Sequence, residues 1–388
     1  MYNRDMTEAL IQFIRETYHE PTKFIPLHEP RFIGNERKYV MDAIDSTFVS
    51  SVGQYVDKFE QMMCEITGSK FAIATVNGTN SLHLAIVLAG VQKNEEVITQ
   101  PLTFIATANA ISYANAIPHF VDVDKETMGL SPTKLEAHLL ATTEMKNGFC
   151  YNKVTGNKIS ACIPMHTFGL PIEIDKMLAV CEKFNITLIE DAAESLGSYY
   201  QGKHTGTFGK MGIFSFNGNK TVTAGGGGAL ITNDPEIAKR AKHLSTQAKI
   251  PHQWNYEHDE VGYNYRMPNL NAALVCAQLE QLPAFVQNKR DLSAMYADFF
   301  SNYPEIQYVK EIPEAKANYW LNAIILKDRA ARDLFLTETN KAGIMTRPIW
   351  ALMNKLEMFK QAPSGDLTNA EWLADRVVNI TSSVRINE

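Results

Sequence analysis

The stretch Ile213-Phe-Ser-Phe-Asn-Gly-Asn-Lys-Thr-Val-Thr-Ala-Gly-Gly-Gly-Gly228 sets one lysine between a small polar cluster and four consecutive glycines. Apolar residues flank it on both sides, which predicts a segment at least half buried. Burial disfavours an ammonium and frees a nucleophilic amine, so a lysine here reads as a reactive one. Ser215 and Asn217 offer hydrogen bonds beside Lys220. Gly225 to Gly228 permit positive φ and close approach to a ligand. A surface lysine before a flexible loop reads equally well from this stretch alone, so the decision falls to the rest of the chain.

With 388 residues, 45% of them hydrophobic, the chain can bury a sizeable core and suggests a large domain with a smaller one. The net charge of −6 points to neither nucleic acid nor an anionic membrane. No apolar run approaches the roughly 20 residues of a membrane span. Met1 to Glu20 mixes Arg4, Asp5, Glu8 and Arg15 with apolar residues and reads as an amphipathic helix, not a signal peptide. The five scattered cysteines lack metal-site spacing and suit a reduced, cytoplasmic protein without a metal.

Outward from the lysine, short apolar strands alternate with helices. Strands are predicted at 71–76, 97–101, 117–123, 159–165, 187–193 and 229–233. Helices are predicted at 35–45, 56–67, 82–89, 131–140, 174–184, 235–244, 270–282 and 285–300, with another opening at Thr103. The face of the first carries Val40, Met41 and Ile44. This alternation predicts an α/β fold with a mostly parallel central sheet. From about residue 305 the pattern changes to strands at 308–309, 319–326 and 344–348 with helices at 330–342 and 369–379, a smaller α+β domain. The divisions expected are an N-terminal helical extension (1–25), a large α/β domain (26–283) and a small C-terminal domain (284–388).

In such sheets ligands bind at the carboxyl ends of the strands. That rule gathers Asn77 to Thr79, Phe104, His166 and Glu190 to Glu194 on one rim. Strand, Gly/Thr turn and helix start at Asn77-Gly-Thr-Asn-Ser81 make an anion site, or simply a helix capped by Thr79 or Asn80. With Lys220, the rim offers what pyridoxal 5′-phosphate needs: hydroxyls and N–H groups for the phosphate (Gly78, Thr79, Ser215), a ring to stack on (Phe104), a carboxylate for the pyridine nitrogen (Asp191) and an amine for the aldehyde.

Asn77-Gly-Thr-Asn-Ser, Glu190-Asp-Ala-Ala-Glu-Ser, the lysine stretch and Gly262-Tyr-Asn-Tyr-Arg-Met resemble, in this order, the DegT/StrS-type sugar-nucleotide aminotransferases, which are fold-type I pyridoxal-phosphate enzymes. The likeness runs from about Pro26 to the C-terminus. The four glycines and His252-Gln-Trp-Asn-Tyr-Glu-His-Asp resemble the branch acting on nucleotide-linked 4-keto-6-deoxy sugars, of legionaminate or perosamine type. The resemblance implies that Lys220 carries the cofactor and moves the proton, that Asp191 pairs with the pyridine nitrogen, and that Glu194 lies near the ring hydroxyl. It implies Phe104 on the ring, Gly78, Thr79 and Ser215 on the phosphate, with Asn217 nearby, and Asn264 reaching the neighbouring subunit's phosphate across a homodimer.

His166, Arg347 and Tyr265 are weaker expectations for substrate contact. A structural histidine and a packing arginine are the alternatives. The Trp254/Tyr256/His258 loop is expected to cover the partner subunit. The implied reaction moves an amino group from L-glutamate to a nucleotide diphosphate keto sugar. A sugar dehydratase on the same fold would carry histidine in place of Lys220, and a catalytically inactive regulatory protein would not need Lys220 with Asp191.

Overall fold

The computed structural model describes residues 4–386. Helix α1 (Arg4–Thr17) bears out the amphipathic reading, with Met1 to Asn3 outside the described residues. Its Met6, Leu10 and Ile14 are fully buried against Leu292, Tyr296 and Phe335 of the C-terminal part. Burying three such side chains contributes several kcal/mol, at about 1.5–3 each. Helices α2 (Glu36–Asp45) and α3 (Gln54–Thr67) follow. Val56, Phe59 and Met63 of α3 recur at helical spacing and enter the core. On α2 the expected apolar face does not pack: Met41 is 53% and Ile44 46% exposed.

The central layer is then laid down as β1 (Phe71–Thr75), α4 (Gly78–Leu88), β2 (Glu96–Thr99), α5 (Ile105–Tyr113), β3 (Ile117–Phe120) and α6 (Pro132–Thr142). A hairpin, β4 (Thr143–Lys146) and β5 (Phe149–Asn152), leads to β6 (Lys158–Ile163), α7 (Ile174–Lys183) and β7 (Thr187–Asp191). Two short strands, β8 (Tyr199–Tyr200) and β9 (Lys203–His204), precede β10 (Met211–Ser215), β11 (Gly228–Thr232) and α8 (Pro235–Ser245). The main sheet runs β1-β11-β10-β7-β6-β2-β3. Along this path every pairing from β10 to β3 is parallel and β11 runs against both neighbours, while the β4–β5 hairpin joins β6 antiparallel. The carboxyl ends of β7 and β10 therefore lie side by side, with Ile213 opposite Asp191.

The C-terminal part comprises α9 (Asn269–Ser301), β12 (Gln307–Tyr308), β13 (Ala315–Lys316), β14 (Asn322–Ile325), α10 (Arg329–Lys341), β15 (Arg347–Pro348), α11 (Thr368–Ala374) and β16 (Val377–Ile380). Three expectations are corrected. The two helices expected at 270–282 and 285–300 are one helix of 33 residues with Pro283 inside it. The helix expected over 369–379 stops at Ala374, and Val377–Ile380 is a strand between β14 and β15. The hairpin β4–β5 was not expected at all, although Asn147 and Gly148 turn it with φ of 52° and 80°.

Candidate active site

A cavity of about 390 Å³ opens at the carboxyl ends of β7 and β10. Its phosphate-like end is the first turn of α4. Asn77 stands in extended backbone, and its side chain accepts the N–H of Asn80 at 2.8 Å while its carbonyl accepts that of Ser81. The cap is thus Asn77, not Thr79 or Asn80. No hydrogen bond uses the N–H groups of Gly78 and Thr79 among the described residues, and both residues line the cavity with Ser215 and Asn217. Two free N–H groups at a helix start favour an anion. Glycine is needed for the fit. A Cβ on Gly228 would stand 2.4 Å from the Asn77 carbonyl carbon, and one on Gly78 2.9 Å from Ser215 Cβ.

Asp191, at the carboxyl end of β7, lines the same cavity. It is 3% exposed and accepts hydrogen bonds from Thr107 Oγ1 at 2.7 Å and from the Ala193 N–H at 3.2 Å. Burial pushes its carboxyl above the usual range, against the pull of those two donors, Lys220 and His166. A buried carboxylate so placed lacks a cationic partner of its own. Glu190, expected on the same rim, is not there. Strand alternation turns it away, and it accepts the N–H groups of Gly206, Phe208 and Gly209 at 2.6–2.7 Å. His166 is likewise not brought into the cavity. It is fully buried, its Nε2 3.1 Å from Glu190 and its Nδ1 accepting the Ile172 N–H.

Lys220 lines the cavity too, on the turn after β10. Its Nζ is 3.3 Å from Glu194 Oε1 and 3.9 Å from the centre of the Trp320 ring. The other oxygen of Glu194 accepts the Phe168 N–H at 2.8 Å. Burial raises the Glu194 carboxyl too, and Lys220 is the main influence holding it down. Phe104 ends the chain's approach to α5, lines the cavity and is 51% exposed.

Three expected residues do not line this chain's cavity. The Tyr265 hydroxyl is 3.0 Å from His83 Nδ1, and its ring stacks on Tyr263. Arg347 is exposed and bonded to Asn340 Oδ1 and Thr346 O, each at 2.9 Å. Asn264 is exposed and pairs only with Thr246 as an isolated bridge. Conversely, Thr107, Met165, Trp320 and Trp350 line the cavity without having been singled out. Thr107 had a faint signal, one turn after Thr103 in the helix that Phe104 opens; the tryptophans arrive from the C-terminal part, which nothing local announces.

Residues 31–388 match the DegT/DnrJ/EryC1/StrS aminotransferase family. The chain belongs to that family. This aminotransferase is 36% identical over 339 residues (87% of this chain, 88% of the other) to the GDP-perosamine synthase of Escherichia coli O157:H7. It is 35% identical over 340 residues (88% and 85%) to EpsN of Bacillus subtilis (strain 168), provisionally described as a pyridoxal phosphate-dependent aminotransferase. The crystal structure of DesI in the presence of its TDP-sugar product superposes with a TM-score of 0.80 at 26% identity, covering 94% of this chain and 90% of that one. The fold is that of the fold-type I sugar aminotransferases, and the cofactor is pyridoxal 5′-phosphate. The residues present suit it. The free N–H pair and hydroxyls match a phosphate, Asp191 needs a positive partner such as a pyridine nitrogen, and Lys220 offers an amine.

Proposed function

We propose that this enzyme transfers an amino group from L-glutamate to a nucleotide-linked keto sugar, a 4-keto-6-deoxy hexose. The product is a 4-amino sugar nucleotide for surface polysaccharide or nonulosonate biosynthesis. The observation that carries the reading is one cavity shared by Lys220, Asp191 and the open first turn of α4. The perosamine synthase and DesI likenesses support a nucleotide sugar as the acceptor.

The cofactor supplies an electron sink when bound. The chain does the rest. Gly78, Thr79, Ser215 and Asn217 hold the phosphate. Asp191, oriented by Thr107, holds the proton on the ring nitrogen. Phe104 offers the face on which the ring lies. Lys220 would hold the cofactor through its amine, and the same amine is placed to move a proton at the sugar carbon. Trp350 and Trp320 line the same cavity from the C-terminal part.

The assembly we propose is a homodimer with shared sites, in which Asn264 reaches the neighbouring phosphate and the Trp254/Tyr256 loop covers the partner. In support, Asn264 has no role in its own cavity, and Met41, Ile44, Phe48, Val49 and Val52 are exposed together on 41–52. Five free cysteines, four of them buried, suit a reducing, cytoplasmic compartment. No helix among the described residues is long and apolar enough to cross a membrane. The division into 1–25, 26–283 and 284–388 is retained as a functional one, although α9 runs through residue 283.

The test is a half-reaction screen. Enzyme loaded with amine from glutamate is mixed with GDP-, UDP- and dTDP-linked 3- and 4-keto sugars, and return of the cofactor's starting spectrum is followed. Return with 4-keto-6-deoxy sugars is expected; return with none of them overturns the proposal. Lys220→Ala should abolish turnover and the visible absorbance of the covalently held cofactor, and retained turnover would refute the role of Lys220.

A further inference from the structure

The amine of Lys220 meets a side chain that belongs to the other end of the sequence. Trp320 lies between β13 and β14, is 4% exposed, and turns its ring face to Lys220 Nζ at 3.9 Å. The indole is fixed from several sides. Its ring N–H donates to Asn219 O at 2.7 Å, its backbone N–H donates to Asn318 Oδ1 at 2.8 Å, and its carbonyl accepts from Lys289 Nζ at 3.1 Å. Asn318 also donates to the carbonyls of Glu194 and Leu196, both at 2.9 Å. No side chain fits between Asn318 and Gly169, where a Cβ would stand 1.8 Å from Asn318 Oδ1. The same clamp thus places both groups that flank the amine, the Glu194 carboxylate and the Trp320 ring. An ammonium is attracted to the face of tryptophan more than to other rings, most when water is excluded, and the carboxylate supplies the countercharge.

Building on the transamination reading, we propose that Trp320 is a positioning residue for Lys220. Its ring face and Glu194 form a rest on which the ε-ammonium lies whenever the amine is not joined to the cofactor. A lysine that acts twice in one cycle is a flexible four-carbon arm, and ordering it anew at each turn costs rate. The rest keeps the nitrogen over the reacting face, so that it re-enters the chemistry from a fixed place.

The first test uses cofactor-free protein, independent of any substrate. Tryptophan emission is compared on introducing Lys220→Met in the natural background and in Trp320→Phe. The change is expected in the natural background and should vanish in Trp320→Phe. In the same protein at one pH, trinitrobenzenesulfonate should label Lys220 about threefold faster in Trp320→Leu than in the natural chain, with Trp320→Phe close to the natural chain. In the loaded enzyme, Trp320→Leu should lower kcat about tenfold with both KM values nearly unchanged, and Trp320→Phe should recover most of it. Identical emission changes in both backgrounds, or Leu and Phe variants that label and turn over alike, overturn the proposal. If Trp320→Leu fails to fold, the emission comparison, which needs only Lys220→Met and Trp320→Phe, decides. A positive emission result with no transaminase activity on any keto sugar would instead sink the proposed function and leave the resting contact standing.

Discussion

Asp191 shows how much of a site one residue can carry and what it costs when the cofactor is away. Burial raises the carboxyls of Asp191 and Glu194, so the folded chain holds protons that the unfolded chain has released. Stability of the cofactor-free protein therefore falls as pH climbs from about 4, where unfolded carboxylates ionise, through the raised folded values, and returns on acidification. Asp191→Asn should flatten that fall in stability with rising pH, read as urea midpoints across the acidic range. An unchanged slope would assign it to other groups. In the loaded enzyme the same variant should lose about a hundredfold in kcat, since the ring nitrogen loses its anion. Lys220, Asp191, Glu194 and Phe104 could be named from the sequence because each sits in a short motif bound to one strand end. Thr107, Trp320 and Trp350 could not, because their relevance depends on packing between segments far apart in the chain. His166 and Glu190 were placed wrongly on the rim for a local reason. Glu190 is turned away by the pleat of β7, while the strand before His166 ends at Ile163 and His166 sits at the start of a tight turn that packs it against Glu190.

At the scale of elements, the first turn of α4 is shaped by a glycine in another strand. Gly228→Ala would drive a methyl against the Asn77 carbonyl carbon at 2.4 Å, so the β11 backbone or the helix start must yield. We expect a loss of about 1–3 kcal/mol in stability and a cofactor bound about tenfold more weakly, measured by thermal melting and by spectral titration. Gly218→Ala, with nothing within 4 Å of its Cβ, should leave both nearly unchanged and serves as the control. Equal behaviour of the two variants would refute the fit. The alternating strands and helices were legible because their apolar periods are clear. The misreadings have physical causes. Two helices were expected where Pro283 lies inside one; Leu279, Leu282, Phe285 and Val286 on either side of it pack into one cluster and hold the helix through it. Val377-Val-Asn-Ile was run on from a helix although its β-branched residues favour a strand. The Asn147-Gly148 pair, both at positive φ, is the hairpin signal of β4–β5.

For the whole molecule, the apolar residues of 41–52 have no cover within one chain, and that absence is what a single sequence conveys least. Phe48, 57% exposed, should lie in the dimer contact. For the proposed homodimer, Phe48→Asp should shift the mass in solution from two chains to one and reduce kcat about tenfold or more, since the proposed reach of Asn264 into its neighbour's site would be lost. A variant still dimeric at micromolar concentration would move the contact elsewhere. The long helix α9 bears on every part of this assembly. Its 33 residues form a rod about 50 Å long. The rod's upstream half is sunk in the core beneath Lys220, and its downstream half carries Leu292, Tyr296 and Phe300 into the cluster that seats α1. Pro283 lies within that shaft, and the helix runs on through it. One continuous strut therefore ties the part that presents Trp320 to the core that carries the lysine turn.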